Sequence, residues 1–203
     1  MNTIIDGAMI KYLIIHPKDC TTDFLCSSYE NIPNKTVVRD ITISKSNLRK
    51  LIRFHDVVLM LGHGSAEGLM CGNKIVKDNV EPLLGRFLIN SEFVDELRKK
   101  KVCIGIWCHA SDFFEKYNIL GFSTGMFISD LMEADYYSFP LNEEWIEESN
   151  SMLSKSISET YNKSPKDIYL KFEENFLSLS NNNIIAEFNY SEFKFYEEDK
   201  KNH

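Results

Sequence analysis

Val57-Val-Leu-Met-Leu61 and Val102-Cys-Ile-Gly-Ile-Trp107 are unbroken apolar runs, and nothing else in the sequence constrains the fold as strongly. Runs this short and this apolar read as strands buried on both faces, the kind found in mostly parallel sheets covered by helices. Tyr12-Leu-Ile-Ile-His16, stopped by Pro17, reads as a first strand, and the β-branched stretch Lys35–Ile41 as a second. Helical spacing fills the gaps. Thr21–Tyr29 starts behind Thr21 or Thr22 as N-cap. Ser44–His55 is capped by Ser44 or Ser46 and carries Leu48, Leu51, Ile52 and Phe54. Ser91–Lys101 has Phe93, Val94 and Leu97 as its buried face. Strands alternating with helices predict an α/β fold, a mostly parallel sheet with helices on both faces, in a single domain.

Two segments interrupt the alternation. Gly68–Lys77 reads as a small hairpin turning at Gly72-Asn73. Gly121–Gly125 reads as a loop before the strand-like run Met126–Ser129. From Asn142 the pattern is helical to about Ser180, and Asn181-Asn-Asn183 breaks it. Ala186–Tyr196 alternates apolar and polar residues as a late edge strand would, and Glu197–His203 reads as a frayed tail. The core sheet thus spans about residues 10–135, with a helical part and edge strand over about 142–196.

A hydrophobic content of 43% is ordinary for a chain that buries a core. The net charge of -7 argues against a nucleic-acid partner, which needs a clustered basic surface. The one dense basic run, Arg98-Lys-Lys-Lys101, falls at a helix end, where cations complement the dipole. The acidic stretch Glu143–Glu148 falls at a helix start, where carboxylates are favoured. No apolar run approaches the roughly 20 residues of a membrane span, and Met1–Asp6 lacks the pattern of a signal peptide. A cytoplasmic protein is expected. Cys20, Cys26, Cys71, Cys103 and Cys108 are odd in number and irregularly spaced, which suggests free thiols rather than a disulfide framework. There is no C-x-x-C pair to suggest zinc, and no cofactor is expected.

His63 and Cys108 are the candidate catalytic pair. The run at 57–61 passes directly into Gly62-His63-Gly64-Ser65, and the run at 102–107 into Cys108-His109-Ala110-Ser111. Open α/β sheets place their sites just beyond the carboxyl ends of the strands. Neighbouring strands lie about 5 Å apart, so side chains just past those ends can converge on one bond. A nucleophilic thiol needs an imidazole within reach. Glycines flanking His63 allow tight backbone geometry and close approach of a substrate. The amides of Gly64 and Cys108 could then form an oxyanion hole. Cys103, mid-strand, reads as core and Cys71 as a hairpin residue; His16 ends the first strand near the cleft. The side chain of His109 should point away from that of Cys108.

An apolar strand followed by His-Gly, then a second apolar strand ending in Cys, resembles the caspase-like cysteine peptidases. That group includes caspases, metacaspases, legumain, clostripain, gingipains, separase and the bacterial CHAT proteins. The separation of 108 − 63 = 45 residues is close to the roughly 50 of caspases. The local match is to the metacaspase motifs Ser-Gly-His-Gly and Asp-x-Cys-His-Ser-Gly; here they read Leu61-Gly-His-Gly64 and Ile106-Trp-Cys-His-Ala-Ser111. The resemblance covers about residues 10–135. It implies a cysteine endopeptidase acting on a peptide or protein substrate, with Cys108 as nucleophile and His63 as proton donor. It also implies an S1 pocket drawn from the loop after the first strand and from the neighbourhood of the Cys, which makes Asp23 and Asp112 candidate substrate-binding residues. Ile106 stands where metacaspases carry an acid that recognises basic side chains, so their Arg/Lys specificity does not carry over. No long linker after Cys108 implies autoprocessing.

Two other readings follow from the same residues. Gly62–Gly68 resembles a glycine-rich dinucleotide loop, but a hairpin follows it instead of the helix that would hold the phosphates. No Gly-x-Ser-x-Gly elbow is present for an α/β-hydrolase. The caspase-like fold also occurs as catalytically inactive interaction modules, which is the alternative to an active peptidase.

Overall fold

In the computed structural model of the chain, residues 4–5, 8–76, 79–82 and 86–197 are described; for 4, 5, 8, 73–76 and 79–82 only the backbone is. The apolar runs form the centre of one six-stranded sheet. Its strands are β1 (Tyr12–Ile15), β2 (Lys35–Val38), β3 (Val57–Leu61), β4 (Val102–Ile106), β5 (Gly121–Thr124) and β6 (Phe193–Tyr196). Their spatial order is β2-β1-β3-β4-β5-β6, parallel throughout except for β6, which runs antiparallel along β5. The sequence order reverses between β1 and β3, the switch point at which doubly wound sheets open a crevice.

Every residue of β1, β3, β4 and β5 is buried, because alternate side chains serve opposite faces. Tyr12, Ile14, Leu59, Leu61, Ile104 and Ile106 pack with α1 (Cys26–Tyr29), α6 (Glu143–Thr160), α7 (Pro165–Ser180) and α8 (Ile184–Ser191). Leu13, Ile15, Val58, Met60 and Cys103 face the other way, onto α2 (Lys45–Phe54), α3 (Val94–Leu97) and α4 (Ala110–Tyr117). The helical last third is therefore one cover of the same sheet, and β6 closes its edge. The expected α/β architecture, mostly parallel with helices on both faces, is the observed one.

Helix starts follow the capping chemistry of the sequence. Ser44 accepts from the amide of Asn47, and Asn142 from that of Trp145. Several local expectations fail for identifiable reasons. Thr22 makes no side-chain cap; the segment behind it is a 3₁₀ turn, Asp23–Leu25, leading into one α-helical turn. Ser91–Lys101 is likewise a 3₁₀ turn followed by the short α3. Its basic run acts elsewhere: Lys100 Nζ donates to the carbonyls of Ile52 and His55 at 2.7 Å each, closing the carboxyl end of α2. Gly68–Met70 pairs back onto Gly64–Ser65 and outward onto Phe87–Ile89, and Asn73–Val76 pairs with Asn79–Pro82. The single hairpin expected at Gly72-Asn73 is thus two separate pairings. Gly121–Thr124 is a full strand, while Met126–Ser129 is not one. Ala186–Tyr196 is half helix and half strand: Asn183 caps α8 through the amide of Ala186, and only Phe193–Tyr196 joins the sheet. The tail from residue 198 lies outside the described residues. No described helix is long and apolar enough to cross a membrane.

Candidate active site

β3 and β4 are hydrogen-bonded neighbours in register from Val57↔Val102 to Leu61↔Ile106, and the amide of Gly62 continues the ladder to the carbonyl of Ile106 at 3.0 Å. His63 and Cys108, each two residues beyond the last pair Leu61↔Ile106, therefore leave the sheet side by side. Both line one small cavity, walled also by Thr22, Leu25, Ile106, Phe127 and Glu133. Its volume is about 20 Å³, room for about one water molecule.

Local packing sets the two backbones. A Cβ at Gly64 would stand 2.0 Å from Trp107 Cδ1, so only glycine lets the buried indole lie flat beneath the His63 loop. The indole Nε1 donates to the carbonyl of Ser65 at 3.0 Å, tying the residue before Cys108 to the loop after His63. Met70 N donates to His63 O at 2.8 Å. Since hydrogen bonds alternate along an antiparallel pair, the amide of Gly64 faces away from that strand. Cys108 sits in the turn between β4 and α4. The following His109 adopts φ 66°, and its amide donates to the carbonyl of Gly125 at 2.9 Å.

The histidine is oriented from the loop after β1. Thr21 Oγ1 donates to Asp19 Oδ1 at 2.8 Å, and so accepts from His63 Nε2 at 2.6 Å. Asp19 also accepts from the amide of Thr21 at 3.0 Å and is itself buried. Nδ1 of His63 is then the nitrogen left for proton exchange.

The cysteine is quiet in this arrangement. Burial pushes its thiol up to about 12, and the nearby Glu133 carboxylate adds to the push. Glu133 comes from α5 (Leu131–Tyr136). Its Oε2 accepts from the amide of Ser129 at 2.7 Å and the hydroxyl of Ser129 at 2.9 Å, while Asp130 caps the helix through the amide of Glu133 at 2.8 Å. Burial raises the Glu133 carboxyl above its usual range, against the pull of Ser129 and His63. A carboxylate that interacts with both His63 and Cys108 thus stands in the cavity they share.

The other expected residues fall elsewhere. Asp112 is exposed and pairs with His109 Nδ1 at 3.1 Å, on the outer side of α4 and outside the lining of the cavity. His109 is likewise outside the lining of the cavity. Asp23 forms an ion pair with Arg39 and lines a neighbouring cavity. Cys103 and Cys71 are buried. His16 is fully buried and bonds Tyr29 and Thr22 instead of reaching the cleft. Sequence reasoning missed Thr21, Asp19 and Glu133. For Glu133 a signal existed: Asp130-Leu-Met-Glu133 has capping-box spacing, which fixes an acid at a helix start. Thr21 and Asp19 belong to a loop whose pairing with His63 spans 42 residues, and no local pattern encodes that.

No family model and no curated protein matches the chain. The reading of its function therefore rests on the site itself.

Proposed function

We propose that the chain is a cysteine endopeptidase of the caspase-like class, with Cys108 as nucleophile and His63 as its proton-transfer partner. The observation that carries this reading is the emergence of both side chains from adjacent parallel strand ends into one cavity. In the reaction, the Cys108 thiol passes its proton to His63 Nδ1, Sγ bonds to the substrate carbonyl carbon, and the amides of Gly64 and Cys108 face the oxyanion. Collapse expels the amine, which takes a proton from His63, and leaves a thioester on Cys108. Water then adds to the acyl carbon, the C–S bond breaks, the carboxylic acid leaves and the thiol is restored. Asp19 and Thr21 hold the imidazole by Nε2 and so direct Nδ1 to this work. The wall beside the nucleophile is Ile106, which offers no charge to a basic side chain. Glu133 is part of the wall of the cavity that the two side chains share.

A specific observation favours a second reading, an inactive caspase-like module: the shared cavity has room for about one water molecule and not for a peptide. A peptidyl acyloxymethyl ketone separates the two. Covalent labelling of Cys108, lost in His63→Ala, supports the peptidase. Absence of labelling in both the unaltered protein and Glu133→Gln supports the module.

A further inference from the structure

The six-stranded sheet ends at β2, and no strand among the described residues pairs with its outer side. In the parallel ladder with β1, Tyr12 N donates to Asn34 O at 3.2 Å and His16 N to Val38 O at 3.0 Å. Alternate residues of β2 therefore serve β1, and the N–H and C=O of Lys35 and Val37 point outward. Proteins commonly blunt such an edge with a lysine. Here the lysine is committed elsewhere. Lys35 Nζ donates to the carbonyls of Glu30 and Ile32 at 2.7 and 3.1 Å, folded back onto the end of α1.

The side chains of Lys35, Val37 and Arg39 share one face of the sheet, and with α1 and α6 they wall a cavity of about 940 Å³. Phe24 and Val37 are apolar parts of its lining, and Val37 is 38% exposed, a β-branched side chain that nothing covers. The charges around it are unequally occupied. Arg39 is paired with Asp23, and Lys35 is held by the carbonyls. Glu30 and Glu147 line the same space, are exposed, and have no ion-pair partner among the described residues. Glu144 and Glu148 continue the acidic wall along α6 into an adjoining cavity of about 420 Å³, which Lys155 also lines.

The geometry points to β2 and this groove as a docking site for an extended segment of a partner protein that carries lysine or arginine at alternate positions. The segment adds an antiparallel strand to the sheet. Residues opposite Lys35 and Val37 exchange both main-chain hydrogen bonds with them and place their side chains in the groove, where the cations meet Glu30 and Glu147. A small molecule in the cavity would leave the outward main-chain groups unmet. A second copy of the chain would bring the same carboxylates and a net charge of -7 against themselves. A basic extended segment meets both the edge and the charge, and its docking does not depend on Cys108.

The test uses the whole chain and a capped peptide of alternating lysine and valine, long enough to run the length of β2. Binding is read by titration calorimetry, and main-chain pairing by amide hydrogen exchange. The peptide is expected to bind and to slow exchange at Lys35 and Val37. A glutamate–valine peptide of the same length should not bind. Methylating the main-chain nitrogens of the peptide's lysines should weaken binding about tenfold. Glu30→Gln combined with Glu147→Gln should weaken it about fivefold, while Asp95→Asn, at an exposed position of α3 on the opposite face of the sheet, should leave it unchanged. Val37→Pro removes an outward donor that β1 does not use and should also weaken binding; if that variant misfolds, the paired glutamine variant still decides. No binding of the lysine–valine peptide at millimolar concentration, equal binding of its methylated form, or an effect of Asp95→Asn as large as that of the paired variant would overturn the proposal. Cys108→Ala should bind the peptide as the unaltered protein does.

Discussion

Two cysteines of this fold stand near a histidine at the carboxyl end of the sheet, and their surroundings are opposite. Cys108 shares a cavity of about 20 Å³ with a carboxylate, and burial with that charge drives the thiol up to about 12. Cys26 opens on about 940 Å³ and receives an N–H from a guanidinium. The histidines differ as well. His63 is partly exposed and anchored by Thr21, whereas His16 is fully buried and held neutral. The contrast lies in the charges around two Cys–His pairs that share one end of the sheet. The Cys108 sulfur faces a carboxylate that resists its ionisation, whereas at Cys26 the guanidinium of Arg39 and the carboxylate of Asp23, 4.0 Å from the sulfur, stand together.

The largest expected effect concerns His16. Its value in the folded protein, about 4, lies below the ordinary 6.5, so the unfolded chain takes up the proton first. The stability this contributes is intact above pH 6.5 and is lost as the pH falls towards 4, by about 3 kcal/mol. Urea unfolding at several pH values should show this acid limb in the unaltered protein and a shallower one in His16→Gln. Equal slopes would mean that the His16–Tyr29 link does not hold the imidazole neutral.

Removing the charge of Glu133 comes next. Glu133→Gln should speed alkylation of Cys108 by iodoacetamide about tenfold at pH 8, which corresponds to about one pKa unit, while Cys26 is unaffected. An unchanged Cys108 rate would assign its quietness to burial alone.

Thr21→Val removes the hydroxyl that links His63 to Asp19 and leaves Asp19 short of a donor. A loss of about 1 kcal/mol is expected, measured by urea midpoint. The ¹⁵N chemical shift of His63 Nε2 should also change as it loses its acceptor, which a purely structural role for Thr21 would not produce. The smallest effect belongs to Asp112. Asp112→Asn breaks an exposed pair with His109 and should change stability by less than about 0.5 kcal/mol. Neither Cys26 nor Cys108 should change its alkylation rate.

What the sequence made legible follows from the range of the interactions. The runs at 57–61 and 102–106 were readable because burial on both faces excludes polar residues. The ends of those runs were readable because a strand followed by Gly-His-Gly or Cys-His has few structural uses. β5 was not readable. Gly121 adopts φ 155°, and a Cβ there would stand 1.8 Å from the carbonyl of Cys103. Ser123 and Thr124 complete a strand that carries little apolar signal, Thr124 being satisfied by the carbonyl of Trp107 at 2.9 Å. In Ala186–Tyr196 the alternation of aromatics concealed a helix, because Asn183 caps it from within a segment that read only as a break. Asp23 was expected to serve the Cys108 cleft. It serves Arg39 instead, since the 3₁₀ turn after β1 points Phe24 and Leu25 at that cleft and Asp23 at the next.

Hydrolysis of a P1-scanned fluorogenic peptide library by the Glu133→Gln protein, with and without Cys108→Ala, tests the central claim most directly. The account predicts cleavage of at least one P1 class by the Glu133→Gln protein, in which the charge that holds the Cys108 thiol up is gone, and its abolition when Cys108 is removed. Hydrolysis that persists without Cys108, or none in either protein, would contradict it.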